Sequence, residues 1–110
     1  MLYIYQKRKD MDVKIHSIHF DADQQLLDFI TKKVNKIEKL DMNITDLQVY
    51  LKLDAAIGGI HAKIAEIKAN IPGKTIFSEE QAYSFEDAIE AAVDSTLTQM
   101  KKHKEKLKIG

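Results

Sequence analysis

Apolar residues recur through "DADQQLLDFITKKVNKIEKL", residues 21–40, at Leu26, Ile30, Val34, Ile37 and Leu40. Steps of four, four, three and three form one stripe along a helix. The spacing predicts a helix over 21–40. Asp21 or Asp23 can cap it, and Gln24 stands three after Asp21 in a capping-box arrangement. At about 100° per residue, Lys32, Lys36 and Lys39 fall away from the stripe and Lys33 on its flank. A second, longer helix is predicted over 84–108. Ser84 followed by Asp87 matches the S-x-x-[DE] start signal. Ala88, Ile89, Ala92, Val93, Thr96, Met100 and Leu107 share one side, with Leu97 at its edge.

Elsewhere the period changes to two. "DVKIHSIHF" puts Val13 and Ile15 on one face of a strand. "LQVYLKL" alternates with Leu47, Val49, Leu51 and Leu53 inward and Gln48, Tyr50 and Lys52 outward. "DAAIGG" is a loop. The long strand "IHAKIAEIKANI", residues 60–71, changes parity near Ile64–Ala65, which predicts a β-bulge. Pro72-Gly73 is a tight turn, and "TIFSEEQAY" is a further strand. The order β-α-β-β-β-α predicts an α+β fold, a four-stranded sheet with both helices on one face. Residues 1–10 are read as a frayed extension and 11–108 as one domain. Met11, directly before the first strand, could itself be the start.

A chain of 110 residues fits one domain, and the absence of cysteine excludes disulfides and thiolate metal sites. No apolar run reaches spanning length, and "MLYIYQKRKD" lacks the layout of a signal peptide, so a cytoplasmic protein without membrane contact is expected. The histidines, His16, His19, His61 and His103, include no i, i+4 helical pair. No nucleophile elbow, P-loop or dinucleotide fingerprint occurs, and Glu79 and Glu80 point to opposite faces of a strand. Hence no enzyme activity, metal, cofactor or small-molecule substrate is expected.

Charge is what remains. The 17 basic and 17 acidic residues cancel, but they are segregated along the chain. Residues 79–94 hold six acids and no base, while 101–108 hold five lysines. Cations late in a helix complement its dipole, which accounts for one or two lysines per helix. The other reading is a phosphate-binding footprint made of Lys32, Lys33, Lys36 and Lys39 with Lys101, Lys102, Lys104 and Lys106. Residue patterns alone leave the two readings about even. Tyr3 and Tyr5, with Lys7, Arg8 and Lys9, could also meet RNA by stacking and pairing.

Three stretches carry a resemblance: "LLDFITKKVNKIEKL", "ANIPGKTIFSEEQAYSF" and "AIEAAVDSTLTQMKKHKEKLK". In this order and spacing, residues 11–108 resemble the short ribosome hibernation promoting factors, also called ribosome-associated translation inhibitors or sigma-54 modulation proteins. The resemblance implies a β-α-β-β-β-α fold similar to a double-stranded RNA-binding domain. It implies binding to the small ribosomal subunit and its ribosomal RNA, and inhibition of translation in stasis by occupying the tRNA and mRNA channel. Lys33 and Lys36 match the family's first-helix lysines, and Lys101, Lys102 and Lys104 its closing basic run, which Lys106 and Lys108 extend. Ser95, Thr98 and Leu27 stand where the family often has a base, and Glu86 replaces a common tyrosine. The sequence ends after its last helix, where long forms continue into a dimerising domain, so the resemblance is to the short form, expected to be monomeric off the ribosome. The rival expectations are a protein-binding transcription regulator using a sheet face around Tyr50 and Lys52, and a generic double-stranded RNA binder.

Overall fold

The computed structural model describes the backbone of residues 2–8, 11–18, 20–40, 43–54 and 62–109, and the side chains of 13–18, 20–40, 43–53 and 62–106. Its elements are β1 (Leu2–Arg8), β2 (Met11–Ile18), α1 (Gln24–Glu38), β3 (Asp46–Asp54), β4 (Ala62–Ile71), β5 (Lys74–Ala82) and α2 (Phe85–Ile109). From β2 onward this is the β-α-β-β-β-α order expected.

Capping chemistry fixes where each helix starts. The first N–H groups of a helix have no partner within it. The Asp23 carboxylate accepts from the Leu26 N–H at 2.8 Å, which selects Asp23 over Asp21 as the cap. The Ser84 hydroxyl accepts from the Asp87 N–H at 3.1 Å. In α1 the stripe Leu26, Leu27, Ile30, Val34 and Ile37 is buried, with Leu40 partly so. In α2 the buried residues are Ala88, Ile89, Ala92, Val93, Thr96 and Met100. The predicted contact of Leu107 lies outside the described side chains.

The sheet runs β1-β2-β3-β4-β5. Strands β2 and β3 are parallel, joined across α1, and β3, β4 and β5 form an antiparallel meander. Register aligns Val13, Leu47, Ala69 and Ile76 in one row and Ile15, Val49, Ile67 and Ser78 in the next. These residues are buried and, with the helix stripes, form a single apolar cluster apart from Ser78. Both helices therefore cover one sheet face. Because β2 and β5 run the same way, the helix that follows each runs back in a common direction. Phe20, just ahead of α1, stacks on Phe85 at the start of α2 with ring centroids 4.8 Å apart.

A polar relay pins α2 to the edge strand β5. Gln99 Nε2 donates to the Phe77 carbonyl at 2.9 Å and to Ser78 Oγ at 3.0 Å. Ser78 Oγ lies 2.9 Å from Thr96 Oγ1, which is 2.8 Å from the Ala92 carbonyl. With one proton per hydroxyl, Ser78 donates to Thr96 and Thr96 donates to Ala92. Ser78 and Thr96 are both buried, and the relay gives each of these two hydroxyls a partner.

Three expectations are corrected. No bulge interrupts β4: its register with β3 is continuous from Asp46↔Asn70 to Asp54↔Ala62. Ile64 simply faces the uncovered side of the sheet, half-buried among its neighbours. Leu53 shares the inward parity but stays 42% exposed, one residue from the end of β3. The extension is not frayed throughout: Leu2–Arg8 pairs antiparallel with β2, from Leu2↔Ser17 to Arg8↔Met11. The free edge of β2 offered unpaired N–H and C=O groups, and "LYIYQKR" is rich in strand-forming residues. The sheet is thus five-stranded, with β1 outside the four-stranded core. The Pro72-Gly73 turn is present, with Gly73 at φ +77, the left-handed position that a type II turn requires.

Candidate nucleic-acid interface

All eight expected lysines sit on the outer side of the helical layer. Lys32, Lys33 and Lys36 belong to α1, and Lys39 is its C-terminal cap. Lys101, Lys102, Lys104 and Lys106 belong to the last third of α2. Seven are exposed; Lys33 is half-buried. Because the helices run the same way, each cation-rich C-terminal half lies towards the same end of the molecule. The acids of the two N-terminal halves, Asp21, Asp28, Glu86 and Asp87, lie towards the other end and are exposed. Segregation along the sequence thus becomes segregation in space.

The helices meet where Lys33 Nζ contacts Glu90 Oε1 at 3.3 Å. The same ammonium lies 5.4 Å from the centroid of the Phe29 ring. Glu90 therefore marks the side of α2 that faces α1. At about 100° per residue, Lys101 and Lys104 lie within ~40° of that side, whereas Lys102 and Lys106 are turned ~120–160° from it. On α1, Lys36 leans ~60° from Lys33, and Lys32 and Lys39 point outward. Along the axes, a rise of about 1.5 Å per residue puts Lys101 ~12 Å beyond Lys36. The eight lysines thus form two staggered groups. Lys36, Lys101 and Lys104 follow the seam between the helices, Lys32 and Lys39 crown α1, and Lys102 and Lys106 flank α2. The side chain of Lys108 lies outside the described residues.

Sequence patterns did not reveal Glu90 as a partner of Lys33, since the two are 57 positions apart. Nor did they reveal the Gln99–Ser78–Thr96 relay that holds the basic end of α2 to the sheet. The only advance signal for that relay was the hydroxyl of Thr96 within an otherwise apolar stripe.

The opposite sheet face carries no helix. There His16 stacks on Tyr50, centroids 4.4 Å apart and planes 9° from parallel. The Tyr50 hydroxyl donates to Gln48 Oε1 at 2.7 Å. Lys52 forms an ion pair with the buried carboxylate of Glu66. A hydrogen bond to Glu66 is the main cause that raises the Lys52 pKa; burial opposes it, and the charges of Glu66 and Glu79 add to it. Asp46 accepts from Asn70, and Asn70 accepts from Thr75 at 2.7 Å. Tyr50 and Lys52, which the rival regulator reading would use, are thus engaged within the face. Lys14, Lys52 and Lys68 stand among Asp46, Glu66 and Glu79, so this side has no cationic bias. Expectations for His19 and His61 lie outside the described residues, and His103 is half-buried on α2. Among the described residues no His, Asp and Glu side chains gather into a group of three able to hold a metal ion, and no helix is long and apolar enough to cross a membrane.

Residues 13–108 match the family described as sigma 54 modulation protein / S30EA ribosomal protein. The chain belongs to this family. The match takes in both lysine-bearing helices and starts after β1. Among relatives, the ribosome hibernation promoting factor of Pseudomonas putida is 30% identical over 96 residues, spanning 87% of this chain and 89% of that protein. The ribosome hibernation promoting factor of Klebsiella oxytoca is 26% identical over 98 residues, 89% of this chain and 98% of its own length. Solved structures share this fold. A ribosomal subunit interface protein from Coxiella burnetii superposes with a TM-score of 0.75 at 17% identity, covering 84% of this chain and 97% of that one. The Protein Y N-terminal domain of Thermus thermophilus gives 0.63 at 24% identity, with 81% and 93% covered. At these identities the structural likeness bears on fold alone.

Proposed function

We propose that this protein is a ribosome hibernation factor that works in the cytoplasm by occupancy, without chemistry. It docks on the small ribosomal subunit through the outer side of α1 and α2. The seam lysines Lys36, Lys101 and Lys104, with Lys32, Lys39, Lys102 and Lys106 beside them, meet phosphates of the ribosomal RNA. The body of the domain then stands in the path of tRNA and mRNA, and translation stops during stasis.

The observation that carries this reading is the common direction of two adjacent helices whose lysines lie in their C-terminal halves. Dipole complementation would be met by one or two cations per helix. The family and the names of its Pseudomonas and Klebsiella members give the second support. Net neutrality fits a short-range patch: at physiological salt, fields fade over about 8 Å, so acids at the far end do little to a phosphate held at the basic end.

The test is co-sedimentation with small subunits over a series of salt concentrations. Log K should fall with log salt by about 0.7–0.9 per phosphate engaged. Affinity that does not change with salt would rule out the phosphate contacts. A plain RNA duplex added as competitor should displace the protein only weakly. Displacement at equal concentration would instead identify a generic reader of duplex shape.

A further inference from the structure

Lys33 differs from the other seven helix lysines. Among the described residues it alone of the eight has an ion-pair partner, Glu90 on the neighbouring helix, at 3.3 Å. Its side chain is only 20% exposed, and its ammonium also sits over the Phe29 ring. Phe29 in turn packs against the apolar core. A phosphate that took this ammonium would stand beside the Glu90 carboxylate, and like charges at such range repel.

We propose that Lys33 is a positioning residue, not an RNA contact: it ties α1 to α2 and so sets where Lys36 stands relative to Lys101 and Lys104. The tie has one end on each helix, so it fixes both their separation and their rotation about their own axes. Phosphates in folded RNA are held at set spacings, and a lysine surface matches them only if its two halves are held at a set spacing too. The RNA part of this inference rests on the proposed function; the helix-to-helix tie does not.

The variants are K33E, E90K, the charge swap K33E/E90K, K33Q and K36Q, each measured by thermal unfolding and by small-subunit binding across salt. In unfolding, K33E and E90K each place like charges together and should lower Tm by about 2–5 °C, while the swap should recover most of that loss. A swap no more stable than the sum of the single variants overturns the tie, whether or not any ribosome is bound. In binding, K36Q should lower the salt slope by about 0.7–0.9, and K33Q should leave the slope within ~0.2 of the parent while costing a few-fold in affinity. The swap should return affinity to within about threefold of the parent. A slope that drops for K33Q as much as for K36Q, or a swap that stays as weak as K33E, overturns the proposal by making Lys33 a phosphate contact. If K36Q leaves the slope unchanged, the phosphate reading of the whole surface fails, and the unfolding data still decide the tie.

Discussion

The two sides of this sheet are built from the same strands and do different work. On one side, Val13, Ile15, Leu47, Val49, Ile67 and Ile76 meet the helix stripes in a dry cluster. The charges of that side have moved one layer out, onto the far surfaces of α1 and α2. On the other side, polar and aromatic groups contact one another within the sheet: His16 stacks on Tyr50, Tyr50 bonds to Gln48, Lys52 pairs with Glu66 and Asn70 bonds to Asp46. A surface whose lysines stand among acids, one of them in an ion pair, has little to offer a polyanion. A surface of exposed lysines with neighbours of the same sign gains when phosphates arrive, because ions held on the RNA are released. Under the proposed function, the contrast gives stability to the covered face, recognition to the outside of the helices, and neither role mainly to the open face.

The contrast can be pressed within one strand. Ile67 and Ile64 lie three apart in β4 on opposite faces. Ile67→Ala removes a fully buried side chain under the helices and should destabilise by about 2–5 kcal/mol in urea unfolding. Ile64→Ala, on the open face and half-buried, should cost about 1 kcal/mol. Equal costs would erase the distinction between the two sides. Next in size is the relay. Thr96→Val deprives Ser78 of its acceptor inside the covered side, with an expected loss of about 1–3 kcal/mol. Asp23→Ala removes the α1 cap and should cost about 1 kcal/mol by the same assay.

The smallest effect belongs to the open face. Glu66 raises the Lys52 pKa on folding, so the folded state holds that proton more firmly than the unfolded chain. The resulting stability is fully present below the ordinary lysine value of 10.5 and is lost as pH climbs through the raised folded value. Replacing Glu66 with Gln should therefore flatten the alkaline limb of the stability profile above about pH 10.5 while the limb of the parent keeps falling. An unchanged limb would mean that the pair is not formed in solution.

Much of this fold was legible in the sequence because local and global preferences agree. The stripe from Leu26 to Leu40, the Ser84 cap and the Pro72-Gly73 turn each depend on a few neighbouring residues. The misread points depended on distant ones. Ile64 suggested a bulge because its parity was weighed without knowing that the open face shelters a half-buried isoleucine. Leu53 alternated correctly, but only the reach of the helix cover decides whether an inward position is dry. Leu2–Arg8 was read as frayed because its partner edge, β2, becomes free only once β3 has taken the other side. At the candidate site, sequence periodicity placed the lysines outward and put Lys33 on the flank. It could not show that Glu90, far along the chain, would engage Lys33, or that the two lysine groups would stand staggered along a seam.

The central claim is that recognition lies on the helices and not elsewhere on a neutral protein. Two triple variants with the same change in net charge test it directly: K36E/K101E/K104E on the helical layer, and K14E/K68E/K74E on the sheet and its hairpin turn. Both should fold with native circular dichroism. In small-subunit co-sedimentation at one fixed salt concentration, the helical triple should lose affinity by on the order of 100-fold or more, and the sheet triple should stay within about threefold of the parent. Equal losses, or a greater loss from the sheet triple, would contradict the account.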